Sequence, residues 1–126
     1  MPIRTKRWDD PVEPNDGTRI LITRYRPRGL PKSQETWTEW LKALAPSEEL
    51  LARYHGKGGV APIAWNLYRS AYLLEMRSQS VLIAQLADRS KTGETMTLLC
   101  SSACLRESRC HRSLLKELID KLEKTQ

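Results

Sequence analysis

The chain contains no phenylalanine, and among its 126 residues only three are cysteine and two are histidine. Without Phe, the interior has to be filled by Leu, Ile, Tyr and Trp. An odd and small number of cysteines cannot build a disulfide framework, so Cys100, Cys104 and Cys110 read first as thiols. No apolar run approaches the length of a membrane span. The amino-terminal stretch "MPIRTKRWDD" lacks the apolar segment of a secretory signal. The expected location is therefore cytoplasmic, with no membrane partner. Internal repeats and low-complexity tracts are absent. So are a P-loop, a dinucleotide fingerprint and a Ser-His-Asp arrangement. The carboxylates form no catalytic pair: Asp9 and Asp10 are adjacent and diverge, and Glu48 and Glu49 suit the start of a helix.

What remains is ordinary globular material. The apolar share is 40% and the charged share 29%, which suits a soluble folded chain. The length accommodates one domain over residues 1–126, its final few residues frayed. The net charge of +6 permits an anionic small molecule or nucleic acid as partner. Its distribution matters more than its size. Arg24, Arg26 and Arg28 gather in one stretch, and Arg106, Arg109 and Arg112 in another.

"IRTKRW", Ile3 to Trp8, alternates as a short strand does. Pro11, Pro14 and Asn15-Asp16-Gly17 then impose a loop. "TRILITR" predicts a buried strand from Thr18 to Arg24, and Pro27, Gly29 and Pro31 stop it. Ser33 as an N-cap opens a helix to about Leu44, with Trp37, Trp40, Leu41 and Leu44 on one face. Ser47 opens a second, to about Tyr54. Ile63, Leu67, Ala71 and Leu74 recur at helical spacing between Pro62 and Arg77, and Val81 to Asp88 continues the helical region. "TMTLLC" predicts a second buried strand. Ser113 to Leu122 is amphipathic, with Leu114, Leu115, Leu118, Ile119 and Leu122 inward. The order predicts an α/β fold: a short, mostly parallel sheet of about three strands flanked by helices, and helix-rich. Trp37, Trp40 and Trp65 belong to the core in this reading, and His55 to the solvent.

Ligands of open α/β sheets sit beyond the carboxyl ends of the strands. The segments following the two apolar strands are "RYRPRG" and "CSSACLRESRCHR", which are also the two arginine clusters. Arg24, Arg26 and Arg28 alternate, and in an extended loop would share a direction. With Tyr25 they would hold a phosphate and stack on a base, while Gly29 and Pro27 shape the loop. Cys110, His111 and Arg112 fall where the final helix begins. Its first-turn N–H groups and positive dipole end favour an anion, Arg112 adds a fork-shaped donor, and a cysteine there favours the thiolate. His111 can carry a proton near neutral pH. The plainer alternative packs Cys110 inward and leaves Arg112 at the surface.

Two other readings of the junction are weaker. Zinc ligation by Cys100, Cys104, Cys110 and His111 has suitable donors but lacks paired C-x2-C knuckles, so no metal and no cofactor are expected. Cys100 to Arg106 has the C-x5-R spacing of cysteine phosphatases, but its loop has no glycine to let the backbone wrap a phosphate.

The successive blocks "DDPVEPNDGTRILITRYRPRGLPK", "WLKALAPSEELLARYHG", "AYLLEMRSQ" and "TLLCSSACLRESRCHRSLLKELI" resemble, in order and over nearly the whole chain, domain of unknown function 488, in its YeaO-like branch. The resemblance implies a small Rossmann-like α/β domain and no established activity. The functional expectation is binding of a phosphate-bearing or other anionic ligand, such as a nucleotide or a nucleic-acid end. Arg24, Tyr25, Arg26, Arg28, Gly29 and Arg112 would hold it beside Cys110 and His111. One alternative is an enzyme with Cys110 as nucleophile and His111 as acid/base. Another is sequence-independent nucleic-acid binding.

Overall fold

A computed structural model describes residues 3–56, 62–101 and 109–124. Four strands, β1 (Arg4–Arg7), β2 (Thr18–Leu21), β3 (Glu39–Trp40) and β4 (Met96–Cys100), form one sheet in the order β1-β4-β2-β3. Every pairing is parallel. The most apolar segment, "MTLLC", takes the position between β1 and β2, where all five of its residues are buried. A continuous apolar run tolerates that position because both of its faces are covered. Parallel pairing also points all four carboxyl ends the same way. Gly17, with φ of 65°, leads into β2, and a Cβ there would come 2.2 Å from the carbonyl oxygen of Thr95. Only glycine fits that approach.

Among the described residues, four α-helices, α1 (Glu48–His55), α2 (Trp65–Met76), α3 (Ser80–Lys91) and α4 (His111–Lys124), complete the Rossmann-like α/β architecture. The Ser47 hydroxyl caps α1 by accepting the Leu50 N–H. The two sides of the sheet are covered differently. Ile20, Ile22, Met96 and Leu98 pack with Leu50, Tyr68, Tyr72, Met76, Ile83, Leu86, Leu114, Leu115 and Ile119, so all four helices share one core. On the other side Leu21 and Leu99 meet Trp37, with Trp8 and Leu30 packed around them. Among the described residues, none of the four α-helices contributes to that cluster.

Two sequence expectations need correction. The helix from Ser33 to Leu44 does not form: short 3-10 turns at Lys32–Gln34 and Lys42–Leu44 flank the edge strand β3. "TWTEW" is built of two β-branched and two aromatic residues around one Glu, a composition that suits an extended chain. Its backbone joins β2, with the Thr38 N–H donating to the Arg19 carbonyl at 2.9 Å. Trp37 is buried as expected, but Trp40 is exposed and donates its indole N–H to the Thr23 carbonyl at 2.8 Å. In α2 the inward face is Tyr68, Tyr72 and Met76, while Leu67 and Leu74 are exposed. The tyrosines, not the leucines, supply the large buried surfaces.

Candidate functional site

A cavity of about 470 Å³ opens beyond the carboxyl ends of β1, β2 and β4. Trp8 enters it from the end of β1, and Thr23 to Arg28 from the loop after β2. Cys100 and Ser101 come from the end of β4, and Arg109, Cys110 and His111 from the start of α4. α1 and α2 close the remaining wall with residues that include Glu48, Tyr54 and Tyr68. The size suits a small organic ligand. The two arginine-bearing segments, far apart in sequence, thus share one rim.

The rim is electropositive. Arg24, Arg26, Arg28 and Arg109 line it, and Glu48 is its one carboxylate among the described residues. The arginines differ in how far they are committed. Arg24 donates to the carbonyls of Pro46 and Ala45 at 3.1 and 3.2 Å, tying the loop to the entrance of α1. Arg26 donates to Glu35 at 2.8 Å and lies over the Trp37 ring. Their side chains therefore do not run in one direction, because each is drawn to a different partner. Arg28 and Arg109 are exposed, and no described carboxylate pairs with either. Tyr25 is exposed; desolvation, followed by its hydrogen bond to Glu48, holds its phenol above the ordinary value.

The floor is made of sulfur and imidazole. Cys100 and Cys110 are buried with their sulfurs 3.0 Å apart, and no disulfide joins them. His111 is buried against them, its Nδ1 lying 3.9 Å from each sulfur. Its Nε2 lies 2.7 Å from the Ile22 carbonyl oxygen. A carbonyl only accepts, so Nε2 carries the proton and donates. In the neutral form of the ring, Nδ1 is then the acceptor that faces the sulfurs. Behind it, Tyr72 donates its hydroxyl to the Leu44 carbonyl at 2.7 Å. Burial, then the nearby Cys110 and Cys100, push that phenol well above its usual value, so it stays a donor. Tyr54 stacks on Tyr68 with ring centroids 4.1 Å apart, and both face the cavity.

The structure thus brings Arg24, Tyr25, Arg26, Arg28, Cys110 and His111 to one cavity. Two further candidates are placed elsewhere. Gly29 makes the left-handed turn that ends the loop, with φ of 70°, but does not line the wall. Arg112 is buried, has an unpartnered Nε, and is not among the cavity residues. Arg109 stands on the rim instead. Helix geometry separates the directions of successive side chains, so the inward turn of Cys110 and His111 carries Arg112 away from the mouth. Cys104 and Arg106 lie outside the described residues. Sequence reasoning overlooked Trp8, Tyr54 and Tyr68 as wall residues. Extending the strand-end rule to β1 would have found Trp8. Among the described residues, no helix is long and apolar enough to cross a membrane.

Fold and site together define a small parallel α/β protein with a cationic, thiol-floored cavity at its strand ends. The chain belongs to the family described as the active DUF488-N3 subclade, which it matches over residues 3–123. It is 37% identical over 102 residues to the uncharacterised protein YeaO of Escherichia coli K12, covering 81% of this chain and 84% of that one. It is 30% identical over 118 residues to the uncharacterised protein Rv3073c of Mycobacterium tuberculosis H37Rv, covering 94% of this chain and 93% of that one. No solved structure matches.

Proposed function

We propose that the chain binds a phosphate-bearing ligand of nucleotide type in this cavity. The carrying observation is that four arginines, against one carboxylate among the described residues, line a pocket that also has aromatic walls. Arg28 and Arg109 take the anion, since neither is committed to a described carboxylate. Arginine's planar fork matches two phosphate oxygens at once. Trp8, Tyr25 and Tyr54 offer faces for a planar base. The floor of the cavity favours a second reading, an enzyme. His111 Nδ1 faces both sulfurs with its tautomer fixed by Ile22, the arrangement a histidine needs to take a thiol proton.

Titration with inorganic pyrophosphate, AMP and a short single-stranded oligonucleotide, followed by tryptophan fluorescence and calorimetry, tests the binding. AMP or pyrophosphate is expected to bind, and Arg28→Ala with Arg109→Ala to weaken binding by at least about tenfold, the loss of one or two charge-assisted hydrogen bonds. Saturation by none of the three probes, or equal binding by the double variant, overturns it. Binding of the oligonucleotide alone, with a steep salt dependence, would instead identify a nucleic-acid surface.

A further inference from the structure

We propose that Cys100, Cys110 and His111 form a zinc site in the floor of the cavity. Three side chains from two elements, the end of β4 and the start of α4, place their donor atoms in a compact triangle. Its edges are 3.0 Å between the sulfurs and 3.9 Å from each sulfur to Nδ1. A point about 2.1 Å from all three atoms exists at its centre, and a small displacement off the plane reaches about 2.3 Å. These are the lengths of zinc–nitrogen and zinc–sulfur bonds. Tetrahedral zinc holds two sulfurs about 3.7 Å apart, so the pair, at 3.0 Å, must open by about 0.7 Å to accept the ion.

The surroundings also fit. A histidine ligand typically donates its second ring N–H to a carbonyl or carboxylate, which fixes the tautomer. Here Nε2 does so to Ile22, and Nδ1 is the nitrogen aimed at the sulfurs. Soft sulfur donors with one imidazole select zinc over magnesium or calcium, which take oxygen ligands. A disulfide between Cys100 and Cys110 would account for the close sulfurs but not for the equidistant imidazole. The lack of C-x2-C knuckles is no obstacle, because proximity is supplied by the strand-to-helix junction rather than by sequence spacing.

Two cysteine thiols lose their protons on binding. The two thiolates balance the charge of the ion, so the arginine rim stays the electropositive part of the cavity. All three residues line the cavity, and a three-ligand zinc keeps a fourth position for water or a ligand atom. The site does not depend on the anion-binding reading; each has its own readout.

The intact chain, purified anaerobically without chelator, is expected to contain about one zinc per chain by elemental analysis. After chelation, cobalt(II) should restore about one equivalent, with a thiolate-to-cobalt absorption band in the near ultraviolet and uptake of base as thiol protons leave. Zinc should protect two thiols of the wild-type protein against a disulfide reagent, a measurement that needs no variant to fold. Cys100→Ser and His111→Ala should each weaken cobalt binding by at least about tenfold. A wild-type protein that takes up neither zinc nor cobalt overturns the proposal. So does one whose cobalt spectrum lacks sulfur ligation, or one whose Cys100 and Cys110 prove disulfide-bonded when purified anaerobically.

Discussion

Arg19 and Arg28 belong to β2 and to the loop that follows it, yet the fold uses them in opposite ways. Arg19 is buried on the side of the sheet opposite the core shared by the four α-helices. It donates to Asp16, to the Thr36 carbonyl at 2.7 Å and to the Asp10 carbonyl at 3.2 Å. Asp16, also buried, accepts from Lys6 at 3.1 Å and from the Glu13 N–H at 3.0 Å. The cluster fastens the chain before β2 and the chain before β3 to the sheet. Arg28 stands at the mouth of the cavity with no described carboxylate to answer it. A basic residue says little about ligands until the partners supplied by the fold are known. What is available to a ligand is the charge left unbalanced, here at the carboxyl ends of the strands.

The contrast breaks most sharply at Asp16. Asp16→Ala would leave Arg19 and Lys6 facing each other in a nearly dry site, and should lower unfolding free energy by about 3–5 kcal/mol in urea titrations. The same group sets an acid limit. Desolvation alone would raise the Asp16 carboxyl, but Lys6 and Arg19 outweigh it and hold it below 3.8. Glu94 is likewise held below 4.5, first by Arg89. A depressed carboxyl contributes its stability above the ordinary carboxylate range and loses it as pH falls through the folded-state value. The urea midpoint should therefore decline below about pH 4, and Asp16→Ala should remove much of that slope.

A smaller loss tests the core behind the cavity floor. Tyr72→Phe deletes the buried hydroxyl that donates to Leu44, leaving that carbonyl unpaired at a cost of about 1–2 kcal/mol by thermal or urea unfolding. The smallest stability effect belongs to the rim. Arg28→Ala and Arg109→Ala should each change unfolding free energy by no more than about 0.5 kcal/mol, while ligand affinity falls. Should either destabilise the fold as Asp16→Ala does, the division between structural and available arginines collapses.

The parallel α/β type was legible because the sequence carries the apolar stretches "ILI" and "LLC" at β2 and β4, and α1 because Ser47 and the two glutamates after it mark a helix start. The segment from Ser33 to Leu44 misled because a serine cap and scattered Trp and Leu residues satisfy a helical template while "TWTEW" satisfies an extended one. Packing against Leu21 and pairing with Arg19 decided between them. At the site, Cys110, His111 and the "RYRPRG" loop could be found from the strand-end rule, since topology alone carries them there. The exchange of Arg112 for Arg109 could not, because it depends on which way the first turn of α4 faces. Nor could the approach of Cys100 to Cys110, which requires the depth to which that helix docks.

The position of β4 has a consequence for how the chain acquires its shape. Arg4 pairs with Thr97 and Ile20 with Leu98, so β1 and β2 have no common neighbour until β4 arrives between them. The sheet cannot close by local zippering, and its nucleus must bring together residues separated by most of the chain. Such a topology folds slowly for its size. Fragments that stop before Met96 should remain without a sheet, and a ribosome-bound chain should gain protease resistance only after Cys100 has left the exit tunnel.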